Sequence, residues 1–170
     1  MRKNILITGM PKSGKSTLLK KIIKKHDKKT GFVTNEIREN GERVGFEIET
    51  HTGQKSVLAN INFKTSLKVS KYFVNIKNLD EIIPKVSEFN GDDLLFIDEI
   101  GQMELFSKKF KQLVLRYFDS PNICIATISK IYSEPFTEEI KKRNDVILIE
   151  IDETTRDAKE KYLEECLKSR

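Results

Sequence analysis

This chain of 170 residues has no tryptophan and little cysteine, histidine or long apolar sequence, and each of the last three shortages removes a class of function. Two cysteines, Cys124 and Cys166, cannot build the disulfide framework of a small secreted domain. Cys124 lies in an apolar run and Cys166 in a helical pattern, so both read as small buried or half-buried residues in a reducing compartment. His26 and His51 are isolated and imply no metal site. No apolar run approaches the roughly 18 residues of a membrane span. The start Met1-Arg2-Lys3-Asn4-Ile5-Leu6-Ile7-Thr8-Gly9 holds no long apolar leader segment, so the expected location is cytoplasmic, with no membrane partner. Repeats and low-complexity linkers are also missing. The length suits one domain over residues 1–170 with a sizeable core.

What is present is charge. Charged residues make up 34% and apolar ones 38%, with 31 basic residues against 26 acidic and a net charge of +5. Much of the excess sits in Lys20, Lys21, Lys24, Lys25, Lys28 and Lys29, opposite the apolar stripe of the first helical pattern. The run is lysine-only and lacks interleaved aromatics, so a solvated helix face explains it better than a nucleic-acid patch.

The chemistry concentrates in Gly9-Met10-Pro11-Lys12-Ser13-Gly14-Lys15-Ser16, which reads G-x-x-x-x-G-K-S, a phosphate-binding loop of Walker A type. Asn4–Thr8 before it has strand length, and Leu18, Leu19, Ile22 and Ile23 after it fall on one helix face. A strand, a loop and a helix opening at Gly14 aim backbone N–H groups and the positive end of the helix dipole at an anion. Lys15 is then expected to reach the β- and γ-phosphates, Ser16 to ligate Mg²⁺, and Thr17 to continue the helix.

Gly31–Thr34 reads as a second strand and Asn35–Arg43 as a polar loop with the turn dipeptide Asn40-Gly41. Val44–Glu49 and Gln54–Ala59 form an antiparallel hairpin across Thr52-Gly53, and Tyr72–Val74 a further short strand. A helix is expected from Asn78 as its N-cap through Phe89, with a kink or late start at Pro84. Further helices are expected over Glu104–Phe118, Glu138–Arg143 and Glu153–Leu167, with strands over Asn122–Ile128 and Val146–Ile149. This alternation predicts a three-layer α/β sandwich with a mostly parallel sheet.

Leu94, Leu95, Phe96 and Ile97 end in Asp98, a Walker B pattern that brings a carboxylate to the end of a buried strand. Asp98 is the second candidate Mg²⁺ ligand, and Glu99 is placed to orient and polarise a water for attack on the γ-phosphate. The competing explanation makes the two acids a helix cap and a first-turn residue. Thr127 and Ser129 could present a hydroxyl to the γ-phosphate or the water, or serve only as strand formers. Arg38, Arg43 and Arg143 are all candidates for an extra cation.

These residues resemble the family of small nucleoside-triphosphatases of bacteria, archaea and animals that includes the human cancer-related nucleoside-triphosphatase. The resemblance rests on the phosphate loop, on Gly31–Arg38 with Arg43–Phe46, on Asp98-Glu99-Ile100-Gly101-Gln102-Met103-Glu104-Leu105, on Ala126–Ile128 and on Arg156-Asp157. It implies a three-layer α/β/α phosphate-loop fold of RecA/ASCE type with an inserted antiparallel hairpin. It further implies slow hydrolysis of ATP, GTP and other nucleoside triphosphates with Mg²⁺; the alternatives are a nucleoside or nucleotide kinase using the same loop, or a nucleotide-switched module whose lysine-rich helix binds nucleic acid, and a monomer or weak oligomer is expected. The stretches Gly9–Thr17 and Leu94–Gly101, with Glu36, Arg38 and Thr127, are the expected nucleotide-binding residues, and Lys15, Asp98 and Glu99 the expected catalytic ones. Two departures stand out: the family usually has glycine at Lys12, and commonly two acids at Asn35-Glu36.

Overall fold

The computed structural model describes residues 3–168. β1 (Asn4–Gly9) leads through the loop into α1 (Lys15–Lys24). Five strands follow, β2 (Lys29–Glu39), β3 (Glu42–Thr50), β4 (Lys55–Asn60), β5 (Leu67–Val69) and β6 (Tyr72–Val74), and then α2 (Ile76–Val86). The chain continues through β7 (Leu94–Ile100), a 3-10 turn at Glu104–Phe106, α3 (Lys108–Asp119), β8 (Cys124–Ser129), α4 (Pro135–Lys141), β9 (Val146–Glu150) and α5 (Arg156–Lys168).

All nine strands form one sheet in the order β5-β6-β4-β3-β2-β7-β8-β1-β9. From β2 to β9 the strands are parallel, and from β2 to β5 each pairing is antiparallel. Strand β8 therefore lies between the strand that carries the loop and the strand that carries the paired acids. Since β1, β7 and β8 run the same way, the ends of all three open on one edge of the sheet, where ligands gather in open α/β folds.

Alternation along the buried strands divides the core in two. Leu6, Leu95, Ile97, Cys124, Ala126 and Ile128 pack on one face with α2 and α3, around Leu79, Val86, Phe110 and Tyr117. Their neighbours Ile5, Ile7, Leu94, Phe96 and Ile125 pack on the other with Leu18, Leu19 and Ile22 of α1 and Leu163 of α5. A strand buried on both faces needs an unbroken apolar run, which is what these segments carry.

The antiparallel part is larger than the expected hairpin. Asn35–Glu39, expected to be loop, continues β2 and pairs with β3 in the register Asn35↔Glu47, Glu36↔Phe46 and Ile37↔Gly45. The ribbon projects beyond the core, so its polar residues show no apolar alternation that a strand reading could use. Asn40 and Gly41 close it with φ of 51° and 81°, the left-handed pair that a tight hairpin turn requires. Helix α2 starts earlier than expected, because Asn75 is its cap and accepts from the Asn78 N–H at 3.3 Å. Pro84 falls in its last turn and the helix ends at Val86, short of Phe89. The helix expected from Glu104 is broken at Ser107, whose hydroxyl caps α3 by accepting from the Phe110 N–H at 3.0 Å.

Candidate functional site

Gly9 ends β1 where no side chain fits: a Cβ there would lie 2.6 Å from both the Ile151 carbonyl oxygen and Ser13 Oγ. Lys12 (φ 66°) and Gly14 (φ 96°) take the left-handed conformation that turns the loop back into α1. Gly14 is the N-cap and supplies no side-chain cap, and the first turn of α1 holds no acid, so its N–H groups are left for a bound anion. Lys15 Nζ donates to the Gly9 carbonyl at 3.0 Å and lies 3.5 Å from Glu99 Oε2. The lysine thus stands on the rim of its own loop.

Across the sheet, Asp98 is 1% exposed at the end of β7. Its Oδ1 accepts from the Ser16 hydroxyl at 2.8 Å and the Thr127 hydroxyl at 2.7 Å, while Oδ2 is buried with no hydrogen-bond partner. The Thr34 hydroxyl donates to the Asp98 carbonyl at 2.7 Å, tying β2 to the same point. The register from β7 to β8 passes from Ile97↔Ala126 to Ile100↔Ile128, so Asp98 and Glu99 together oppose Thr127 alone. Such a bulge re-aims side chains that would otherwise alternate between faces, and the peptide joining the two acids is cis.

Burial raises the pKa of Asp98, offset in part by the Thr127 and Ser16 hydroxyls. Burial also raises Glu99, with Lys15 opposing. Glu104, 5% exposed in the turn after β7, goes furthest: burial, then repulsion from Glu99, pushes it up to about 8. Gly101 sits between these two acids, and a Cβ there would lie 2.7 Å from Glu99 Oε1 and 3.0 Å from Glu104 Oε2.

The site opens into a cleft of about 700 Å³ over the loop, walled by Glu36, Arg43, Phe46 and Arg156. A recess of about 310 Å³ beyond the acids is lined by Thr34, Gln102, Met103, Glu104, Ser129 and Tyr132 among others. Glu36 is the only residue of the expected Glu36–Arg38 pair that faces these cavities. Arg38 grips it from outside, donating from Nε and Nη2 to Glu36 Oε2 at 3.0 and 2.7 Å, and Arg43 Nη1 reaches Oε1 at 3.1 Å. Partial burial pushes the Glu36 pKa up, but the two arginines outweigh it and hold the carboxyl below its ordinary range.

Lys15, Ser16, Asp98, Glu99 and Thr127 are therefore brought together, and the loop from Pro11 to Thr17 lines the cleft above them, whereas Met10 faces a separate cavity with Lys130 and Glu150. Leu94, Leu95, Phe96 and Ile97 are not ligand contacts: at 0–6% exposed they are core, and they place the acids from within. Ile100, 0% exposed, is also core. Arg143 is remote, bound to Asp119 and Asp145 at 2.8 Å near the start of β9. The lysine-rich face is largely occupied by partners. Lys21 and Lys25 meet Glu160 at 3.7 and 3.6 Å, Lys25 also meets Glu164, Lys28 meets Asp92, and Lys20 donates to Asn35 Oδ1 at 2.9 Å. Sequence reasoning missed Thr34, Glu104 and Arg156 as parts of the site. Glu104 left a trace, an acid between Met103 and Leu105 in an otherwise apolar stretch; Arg156 left none in spacing or composition, and its one signal is the Arg156-Asp157 pair that carries part of the resemblance.

Comparison with known proteins gives the family and the fold. A family model described as NTPase matches residues 4–163. The chain is 46% identical over 156 residues to the nucleoside-triphosphatase THEP1 of Thermotoga maritima, covering 91% of this chain and 89% of that protein. It is 32% identical over 176 residues to the cancer-related nucleoside-triphosphatase homolog of Mus musculus, covering 93% of each. Among solved structures, it is similar to the crystal structure of THEP1 from the hyperthermophile Aquifex aeolicus, with a TM-score of 0.84, 34% identity and coverage of 94% of this chain and 96% of that one. The solution structure of a human cancer-related nucleoside triphosphatase matches with a TM-score of 0.83, 29% identity and 98% of each chain covered.

Proposed function

The chain belongs to the NTPase family and hydrolyses nucleoside triphosphates, and from that premise we propose a slow, Mg²⁺-dependent enzyme of broad base specificity in which Glu99 orients the attacking water. The observation that carries this reading is the meeting of Lys15 and Ser16 with Asp98 and Glu99, pairs about eighty residues apart in sequence. In the hydrolytic step the water oxygen bonds to the γ-phosphorus, the bond from that phosphorus to the β,γ-bridging oxygen breaks, and Glu99 accepts the water's proton. The burial that raises Glu99's proton affinity suits it to that work. Lys15, held at 3.5 Å from Glu99, moves to the γ-phosphate when the triphosphate enters, which frees the carboxylate for water.

Among the described residues no group of three or more His, Cys, Asp or Glu could hold a metal by protein ligands alone. The donor set present, the Ser16 hydroxyl beside an Asp98 oxygen with no hydrogen-bond partner, fits Mg²⁺, which takes one or two protein oxygens and fills the rest with water and phosphate. When bound, that ion neutralises charge at the β- and γ-phosphates. Slow turnover is expected because Arg38 and Arg43, the arginines on the Glu36 side of the cleft, both hold Glu36 and leave the γ-phosphate without an arginine of its own, and intrinsic hydrolysis in that case is on the order of 10⁻³ per second or below. Broad base specificity is proposed because the residues given a role, Lys15, Ser16, Asp98 and Glu99, address phosphate, metal or water and not the base. The same reading has the chain acting as one phosphate-loop domain, a monomer in the cytoplasm, with its lysine face ion-paired instead of binding nucleic acid.

Phosphate release from ATP, GTP, CTP and UTP, with and without Mg²⁺, tests the reading. Release from all four, dependent on the ion and lost in Glu99→Gln while nucleotide still binds, is the expected result. Release indifferent to Glu99 or to Mg²⁺ overturns it. The recess of about 310 Å³ is roomier than one water requires, and it supports a second reading, phosphate transfer to a small hydroxyl acceptor. That reading requires a nucleoside or nucleotide to accept radiolabelled phosphate faster than water does.

A further inference from the structure

Arg156, the first residue of α5, reaches back across the phosphate loop. A Cβ built on Gly14 would lie 2.7 Å from its Cδ and 2.9 Å from its Nη1, so the loop's second glycine keeps the space this arginine fills. The side chain is 34% exposed, and its Nε is buried without a hydrogen-bond partner. The carboxylate that approaches it, Asp157 Oδ1, stops at 3.6 Å and belongs to a side chain that is 83% exposed. By contrast Arg38, Arg43 and Arg143 each hold a carboxylate within 2.7–3.1 Å. A guanidinium half-withdrawn from water, with an unsatisfied donor, beside the positive end of α1 is unfavourable in the empty loop. An anion over Gly14 turns each of these costs into an attraction.

Strand order tells which part of that anion Arg156 meets. In the sequence β7-β8-β1-β9, Glu99 comes from β7, two strands to one side of the loop-bearing β1, whereas α5 follows β9 on the other side. Glu99 and Arg156 flank the loop from opposite directions. The end near Glu99 and Lys15 is the γ end where water attacks, so the side near Arg156 belongs to what departs.

We propose that Arg156 is a substrate-binding residue that grips the leaving nucleoside diphosphate, donating charge-assisted hydrogen bonds to its α- and β-phosphate oxygens over Gly14. As the bond from the γ-phosphorus to the bridging oxygen breaks, the electron pair stays on the β-phosphate, and Arg156 faces that growing charge. The same grip holds the product, which slows its release. The inference rests on the phosphate loop binding a triphosphate for hydrolysis, yet its test reads binding and not hydrolysis.

The experiment measures affinity for ADP and for the β,γ-imido analogue of ATP, with Mg²⁺, in the parent, Arg156→Gln and Arg156→Lys. Arg156→Gln is expected to weaken both ligands by a similar factor, about 10- to 100-fold, with Arg156→Lys recovering part of the loss and unliganded melting unchanged. A loss for the analogue with ADP untouched places the arginine on the γ-phosphate and overturns the proposal. No change for either ligand overturns it too. Should Arg156→Gln fail to fold, Arg156→Lys carries the test, because parent-like ADP affinity without the guanidinium fork leaves the grip no basis. Failure of the hydrolytic reading appears elsewhere, in unchanged phosphate release by Glu99→Gln, and leaves these ADP affinities to stand or fall alone.

Discussion

At the starting ends of the parallel strands, Asp93 Oδ2 accepts from the Thr30 hydroxyl and the Asn90 N–H, both at 2.9 Å, while Asn122 Nδ2 donates to the Asn90 and Asp93 carbonyls at 2.7 and 2.9 Å. Asn4 bridges the Phe118 carbonyl and Asp145 at 3.0 and 3.3 Å, and Arg143 closes on Asp145 at 2.8 Å. At the opposite ends, Thr8 Oγ1, Ser13 Oγ, Asp98 Oδ2 and Arg156 Nε are all buried without a hydrogen-bond partner. The residue types are much the same. One end satisfies its polar atoms internally; the other leaves donors and acceptors, each costing about 1–3 kcal/mol when unmet, aimed at one cleft. Unmet groups gathered at a single end mark where a charged ligand completes the structure.

That contrast predicts that substitutions at one end cost activity and at the other cost stability. The largest effect is expected from Glu99→Gln, a drop in kcat of about 10²–10⁴ with nucleotide affinity retained and no loss of melting temperature, checked by single-turnover phosphate release. Equal loss of nucleotide binding would mean that Glu99 holds Lys15 in place and does nothing to water. Asn122→Ala is the counterpart. At a position 4% exposed it takes the side-chain donor from the Asp93 carbonyl and one of two donors from the Asn90 carbonyl, which keeps the Asp93 N–H at 3.1 Å, so about 1–3 kcal/mol of unfolding free energy should disappear in urea titration. Phosphate release per folded molecule should hold steady, and a kcat that falls with it breaks the division between the two ends.

Glu104 sharpens the comparison because it lies at the functional end yet needs no ligand to show its effect. Unfolded, its carboxyl ionises near the ordinary 4.5; folded, it does so at about 8. Between those values the folded chain keeps a proton that the unfolded chain has given up. The stability this group confers is therefore whole below 4.5 and is lost as pH rises toward about 8, where the loss levels off. Glu104→Gln should flatten this decline, gaining on the parent by up to about 1.4 kcal/mol per pH unit across that window. Parallel stability curves for the two proteins from pH 5 to 8 would show that Glu104 is solvated and ionised throughout.

The site was legible in the sequence where it is contiguous. Gly9–Ser16 carries its strand and helix on either side, and Asp98-Glu99 follows a strand apolar enough to be buried on both faces. The ribbon beyond Thr34 was not, because a strand outside the core has no apolar alternation to show, and Asn35–Glu39 looks like any polar loop. Asn75 and Asn78 are equally good caps in isolation, and only the tertiary position of α2 chooses between them. The arginines were the hardest case. Arg38, Arg43 and Arg143 are indistinguishable from Arg156 by type, and it is the strand order that puts Arg143 at the closed end and Arg156 over the loop.

The smallest effect concerns Lys12, where the resemblance led one to expect glycine. Its φ of 66° explains that preference: a side chain in the left-handed region costs about 1–2 kcal/mol, whereas glycine enters it freely. Glycine also adds freedom to the unfolded chain, which returns about 0.5–1 kcal/mol of that gain. Lys12→Gly should therefore be more stable than the parent by about 0.5–1 kcal/mol, a rise in melting temperature of about 1–4 °C for a chain of this size. Lys12→Ala separates conformation from charge, since alanine removes the ammonium and keeps the Cβ that the left-handed conformation opposes. If both variants melt alike, the gain comes from relieving positive charge at the start of α1, and the functional end stores no backbone strain at this turn. If only glycine gains, the loop holds its phosphate-ready shape in the absence of phosphate, at a conformational cost carried by the folded chain.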